Sequence, residues 1–500
     1  MNPFKRLLGQ TAIYGLSSIV GRLLNYLLVP LYTRVFLPEE YGVVTELYAY
    51  VVFLLVLLTY GMETAFFRFA DNKNYTRGLV FSTAMLPLIT TSLLFIGIVL
   101  LFSGNIASGI GYEANAEYIR WFAIIVGLDA LTAVPFAYLR QQNKALKFAV
   151  IKLINIGSNI GFNLFFILLC PYLFQQNPHS VVSYVYNPEI GVGYIFISNL
   201  IASVLTAFLL AKEFLEIRFK ISKQLLKELF VYALPLLVVG FAGSINEVID
   251  RVLLKYLTVV PENATNSADY IMAQIGIYGA NYKVSIFMTL FIQTFRYAAE
   301  PFFFKRAEDK NAPTLYADVM KYFLILCFFI FLGITLFIDV VKYFIGSEYY
   351  EGLHIVPVLL LANLFLGVIF NLSIWYKLAN KTGIGAYISL IGAAITLVFN
   401  FLLIPYFGYT GSAYATLLCY ASMAIISYFW GKKYYDIPYN LRRIGLYSFI
   451  TALIYFLSIV LKPNQLWAIF VFNIIWLAGF ALFVAYKENL LKYILKKRKP

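Results

Sequence analysis

Fourteen apolar runs, each roughly 20 residues long, follow one another along this 500-residue chain with short polar connections between them. Hydrocarbon offers no partner to a backbone N–H or C=O, so a lone run of that length crosses a bilayer as a helix. The runs lie near 10–36, 41–67, 79–102, 117–139, 147–170, 190–211, 229–257 and 270–300, then near 319–338, 353–376, 383–404, 409–430, 444–461 and 465–486. Only 13% of residues are charged and the mean hydropathy is +0.78, whereas a soluble domain is about a quarter charged. The expected fold class is an all-α integral membrane protein with about 14 transmembrane helices. The first run starts after Lys5 and Arg6, precedes Pro38-Glu39-Glu40 and carries no small-residue cleavage site. It is expected to be a retained span rather than a signal peptide.

A net charge of +14 invites a nucleic-acid reading, but its distribution excludes that partner. With the N-terminus inside and alternate loops assigned inside and outside, 29 of the 39 Lys and Arg residues fall on inner segments and 5 on outer ones. This positive-inside asymmetry predicts a multi-pass protein of the cytoplasmic (inner) membrane with both termini in the cytoplasm. Cys170, Cys327 and Cys419 lie in apolar runs without paired spacing, and His179 and His354 stand far apart. No disulfide frame, metal or other cofactor is expected.

The other five cations, Arg22, Lys152, Arg251, Lys283 and Arg296, sit inside the spans. Each costs at least roughly 2.5–3.5 kcal/mol near the bilayer centre, so a partner or a wet path is expected beside it. A membrane transporter is the reading that follows.

The chain also repeats itself. Tyr14 and Leu16 recur as Tyr232 and Leu234, and Gly42 and Tyr48 as Gly276 and Tyr282. Asn143-Lys144, Leu153-Ile154 and Phe162-Asn163 recur at one common offset as Asn380-Lys381, Leu390-Ile391 and Phe399-Asn400, and Pro188 and Gly191 recur as Pro405 and Gly408. Six spans per half give both halves one orientation, so two six-helix lobes related by a pseudo-two-fold axis along the membrane normal are expected, suited to rocking around a central site. The expected boundaries are an N-terminal lobe at 1–211, a cytoplasmic amphipathic linker at 212–228 and a C-terminal lobe at 229–437. Residues 438–500 add two further helices and a basic tail. The linker sequence KEFLEIRFKISKQLLK reads as an amphipathic helix on the inner surface.

Three stretches match a known family. Ile249-Asp250-Arg251-Val252-Leu253-Leu254, followed by Ile275-Gly276-Ile277-Tyr278-Gly279-Ala280-Asn281-Tyr282-Lys283, resembles the seventh and eighth spans of the polysaccharide-flippase branch of the multidrug/oligosaccharidyl-lipid/polysaccharide (MOP) superfamily. GLSSIVGRLLNYLLVPLYTRVFLPEEYG, from Gly15 to Gly42, resembles its first span, and Gly408 to Thr416 its twelfth. The resemblance covers essentially the whole chain. It implies a non-enzymatic flippase that moves undecaprenyl-pyrophosphate-linked oligosaccharide from the inner to the outer leaflet by alternating access, for surface polysaccharide such as O-antigen.

Such cargo needs fixed cations for pyrophosphate and amide or hydroxyl groups for sugars. Arg22, with Ser18 and Asn25 on its face, and Lys283 are the leading candidates. Arg251 has Glu247 one helical turn before it, so an intrahelical ion pair competes there. Lys152 and Arg296 lie near inner helix ends, where snorkelling competes. Lys152, Asn155, Asn159 and Asn163 share one face, as do Gln293, Arg296 and Glu300; such stripes line a path or glue helices. Asp129, Glu247 and Asp250 are candidates for coupling to H+ or Na+. No Gly-x-x-x-x-Gly-Lys-Ser/Thr loop is present, so the chain does not burn ATP itself. A polysaccharide polymerase and other biosynthesis proteins are the expected partners. The alternatives are a lipid II flippase, a cation-coupled multidrug exporter and, further off, a polysaccharide polymerase or ligase. The last needs a large outer catalytic loop, and Pro171 to Glu189 offers one His, one Glu and no Arg or Lys.

Overall fold

Prolines and left-handed residues punctuate a chain that is otherwise built of long apolar helices. A computed structural model describes residues 19–72, 74–179, 181–218 and 221–489, with Leu466 by its backbone only. Residues 19–26 are helical and lead through a turn into α1 (Val29–Val35). The helices α2 (Pro38–Thr59), α3 (Met62–Ala70), α4 (Arg77–Leu101), α5 (Ala116–Gln141), α6 (Ala145–Leu164), α7 (Gly193–Leu209), α8 (Lys223–Leu257) and α9 (Ser267–Val284) follow. Then come α10 (Ile286–Lys305), α11 (Ala312–Leu336), α12 (Val356–Leu378), α13 (Thr382–Phe407), α14 (Tyr409–Tyr434), α15 (Leu441–Val460) and α16 (Leu466–Lys487). Shorter helical turns join them, and the described residues contain no strand.

Among the described residues, eleven helical segments are long and apolar enough to cross a membrane, α2 and α3 counting as one. The bent pair of α9 and α10 raises the number to twelve. Helix α7, at 17 residues, is shorter than the other spans, and residues 10–18, about a third of the expected first span, lie outside the described residues.

Each break has a local cause. Pro38 opens α2 at a position where its missing N–H costs nothing, and the Leu37 N–H donates to the Glu40 carboxylate at 2.9 Å. Tyr60 and Gly61, both left-handed at φ 31° and 74°, separate α2 from α3. The expected eighth span is two helices bent by 47° at Ser285. The linker is not one helix. A turn over Ala211–Leu215 is followed by non-helical residues before α8 starts at Lys223. The Glu213 carboxylate, fully buried, anchors that turn on Lys147 at 2.7 Å. The apolar side chains Phe214 and Ile217, partly buried, pack against the core of the first unit.

Residues matched by the sequence repeat adopt matching geometry. Asn143 and Asn380 are left-handed at φ 58° and 54°, ending α5 and α12. Behind each, the next N–H reaches back five residues, Lys144 to the Leu139 carbonyl at 2.9 Å and Lys381 to that of Tyr376 at 2.7 Å. Gly191 and Gly408 have φ 50° and 53° before α7 and α14. Asn163 and Asn400, both fully buried, each donate to the carbonyl one turn back at 2.7 Å.

The chain forms two compact units that divide at Gly276, inside α9, rather than at the linker. In the first, Leu225, Leu229 and Ala233 of α8 pack with Phe66, Phe81, Met85 and Val134 from α3, α4 and α5 in a fully buried core. In the second, α15 and α16 are stapled to α11 through Glu488. Its carboxylate, 2% exposed, takes Lys321 at 2.8 Å, Arg443 at 2.9 Å and the Tyr447 hydroxyl at 2.5 Å. A groove of about 840 Å³ runs between α11, α12, α14 and α15, lined by Phe328, Phe331, Val368, Tyr428 and Thr451 among others.

Candidate functional site: charged and amide clusters within the helices

In the first unit the amides of α6 divide between two partners. Asn155 turns to α7, donating to the Ala202 carbonyl at 3.1 Å and to Thr206 Oγ1 at 2.8 Å. Asn163 instead accepts from the Tyr32 hydroxyl at 2.8 Å and donates to the Asn159 carbonyl, and Asn159 in turn donates to Asn25 Oδ1 at 3.5 Å. The stripe is therefore partly glue and partly a polar track toward residues 19–26. Arg22 and Asn25 lie exposed on that segment. Ser18 lies outside the described residues.

Asp129 of α5 accepts from Ser203 Oγ at 2.9 Å. The Lys152 ammonium sits 4.1 Å above the Phe136 ring, a cation–π contact. Arg251 is 8% exposed and pairs with the neighbouring Asp250 at 3.0 Å, while its guanidinium also donates to the Glu247 carbonyl at 2.5 Å. The Glu247 residue is exposed. The expected ion pair thus forms with Asp250, because the adjacent carboxylate folds back within reach.

In the second unit Lys283 lies in the last turn of α9, two residues before the bend, half-buried. Ser285 at the bend accepts from Asn363 Nδ2 at 3.1 Å and donates to the Tyr282 carbonyl at 2.7 Å. On α10, Arg296 lies 3.9 Å from Glu300 and 4.8 Å over the Phe370 ring, and Glu300 also holds Lys377 at 2.5 Å. Gln293 is half-buried one turn earlier. A small cavity beside Arg296, Glu300, Asn371 and Lys377 has room for about one water, near 20 Å³. Two cations sharing one carboxylate leave a net positive charge there.

One deeply buried ion pair among the described residues was not among the sequence candidates. Glu46 of α2 is fully buried and meets Lys255 of α8 at 3.0 Å through both oxygens. The Tyr112 hydroxyl donates to the same carboxylate at 2.5 Å, and Lys255 also donates to the Ile110 carbonyl at 2.6 Å. Burial, then the Glu46 charge, pushes the Tyr112 phenol well above its ordinary range. The only signal in the sequence is an acid near one span end and a lysine near another, 209 residues apart. Among the described residues no group of three His, Cys, Asp or Glu stands ready to hold a metal.

These arrangements suit a protein that holds charge inside a membrane bundle, and comparison with known proteins supplies the class. The model of the family described as polysaccharide biosynthesis protein matches residues 7–306, more than half of the chain. The chain belongs to that family. The capsular polysaccharide biosynthesis protein CapF of Staphylococcus aureus is 22% identical over 425 residues, 83% of this chain and 97% of CapF. The fold is shared with proteins of known structure. The lipid II flippase MurJ in an inward closed conformation superposes with a TM-score of 0.70 over 94% of this chain and 98% of MurJ, at 15% identity. An inward-facing multidrug resistance MATE transporter gives 0.63 over 86% and 96%, at 14% identity. The expected all-α membrane fold is met, and the matching family is a polysaccharide one, as the resemblance implied; of the solved structures, one is described as a flippase and the other as a transporter.

Proposed function

We propose that this polysaccharide-family transporter carries undecaprenyl-pyrophosphate-linked oligosaccharide from the inner to the outer leaflet of the cytoplasmic membrane by alternating access. Membership of a polysaccharide biosynthesis family on a transporter fold carries the reading. The chemistry of the chain supports it. Arg22, Lys283 and Arg296, with Arg251 paired to Asp250 and Lys152 over the Phe136 ring, offer the fixed cations that a pyrophosphate needs. Asn25, Asn159 and Gln293 offer amides for sugar hydroxyls, and Ser18, four residues before Arg22 in the sequence, offers a hydroxyl. The apolar groove of the second unit suits a polyprenyl chain. Asp129, Glu247 and Asp250 are the acids available for coupling to H+ or Na+, and a polymerase is the natural consumer of the product.

The test is deletion of the gene, with lipid-linked sugars then assayed on both membrane faces. Surface polymer is expected to vanish while lipid-linked repeat units accumulate facing the cytoplasm. Normal surface polymer in the deletion strain would refute the proposal, and loss of peptidoglycan synthesis instead would move the cargo to lipid II. In the same strain, Arg22→Ala should restore the protein but not the polymer. Full restoration removes Arg22 from the site.

A further inference from the structure

We infer that Glu46 and Lys255 are positioning residues that latch the transporter shut at the bundle end where α2 begins and α8 ends. The inference rests on the transport reading above. Three observations converge on that end. The first is the pair itself, a fully buried carboxylate held by an ammonium whose side chain is 13% exposed. Tyr112 closes over it, its ring centroid 4.4 Å from the Lys255 nitrogen. The second is a close crossing of α2 and the first half of α9. A β-carbon on Gly42 would run into the Met272 carbonyl oxygen, and one on Gly276 into that of Pro38. Gly42 and Gly276 are equivalent positions of the sequence repeat, so each glycine admits the other's helix in a reciprocal contact. The third is a bridge between Met272 and the latch, since the Tyr112 hydroxyl stands 3.9 Å from the Met272 sulfur.

Physically, an ion pair this deep is an unusual fastening. Burying both charges nearly cancels the attraction, so the pair adds little as plain packing. Separating the partners into water, however, rehydrates both. A contact that is tight when dry and inexpensive to open when wet fits a gate better than a permanent joint. The repeat places α2 in the first half of the sequence and α8 and α9 in the second. With the lobes drawn by the repeat, the latch, which lies within the first compact unit, ties together elements that alternating access parts, and the charge asymmetry of the loops predicts an outer position for it. Removing one partner leaves an unpaired buried charge, which penalises the closed form alone.

The experiment uses purified full-length protein in lipid nanodiscs, spin-labelled at Leu37→Cys and Val259→Cys, both exposed positions flanking the latch. Native Glu46 and Lys255 should give a dominant short distance. Glu46→Gln and Lys255→Met should each raise the longer-distance population about tenfold, and the charge swap Glu46→Lys with Lys255→Glu should bring the short distance back. Unchanged distances in folded single variants overturn the inference, because a merely structural pair would not move them. Where the single variants do not fold, Tyr50→Cys and Tyr256→Cys take over. Their hydroxyls lie 3.4 Å apart beside the latch, and a bifunctional thiosulfonate bridge between these cysteines should block lipid-linked sugar flipping until it is reduced. Flipping that continues across the bridge overturns the latch. A protein that flips nothing even without the bridge fails on cargo alone, and the spin-label distances then decide the latch by themselves.

Discussion

At the scale of single residues, the charges sort themselves by what holds them. Glu488 is the clearest case. Burial alone pushes its pKa up, but hydrogen bonds from Lys321 and Tyr447 and the charges of Lys321 and Arg443 outweigh that, so its carboxyl titrates below its ordinary range. A group lowered on folding adds stability above its unfolded pKa and loses that contribution as pH falls through the folded value. Thermal unfolding in detergent should therefore show Glu488→Gln less stable than the parent at neutral pH, with the gap closing below about pH 4. A gap that persists in acid would show that the staple works by shape rather than by charge. Asp250 and Arg251 teach the complementary lesson. Helical spacing correctly placed an acid beside Arg251 but chose Glu247, since spacing cannot see a side chain folding back onto its own turn.

At the scale of elements, the helices were legible and their interruptions were not. Pro38-Glu39-Glu40 announces the start of α2 through proline geometry and dipole charge. The bend at Ser285 has no proline or glycine to mark it, and a hydrophobic run reads the same whether straight or broken. The linker misled for a related reason. Its alternation of apolar and basic residues satisfies a helix on a membrane surface, yet Glu213 and Phe214 find better partners within the first unit. The close crossing of α2 and α9 gives an element-scale prediction. Alanine is the better helix former by about 1 kcal/mol, so Gly276→Ala would stabilise an isolated helix. Here its methyl meets a backbone carbonyl that moves only if the whole helix moves, so a net loss of about 1–3 kcal/mol is expected. Unfolding temperature of the purified variant measures it, and an increase would show that the crossing is loose.

At the scale of the whole molecule, the repeat was read from scattered identities, and the backbone shows why they persisted. Asn143 and Asn380 terminate helices in the left-handed region, and Asn163 and Asn400 bury their amides against the preceding turn. Each is a position where few residues serve, which gives a physical reason for asparagine to stand there in both halves. The way the units divide was beyond such pairs, because it depends on which faces of α8 meet α3 and α4. Loop charge predicts an orientation that labelling checks directly. On intact cells a membrane-impermeant maleimide should modify Leu461→Cys and leave Lys433→Cys untouched, both being exposed. The reverse pattern would invert the topology.

The staple at Glu488 bears on how this protein is handled. The anchor of α15 and α16 comes one residue after α16 ends at Lys487. Trimming the basic segment back to Asn489 keeps that anchor, whereas stopping at Lys487 cuts it away and strands Lys321 without its main counter-charge. Shortened versions and tag junctions made for purification should respect that one-residue margin.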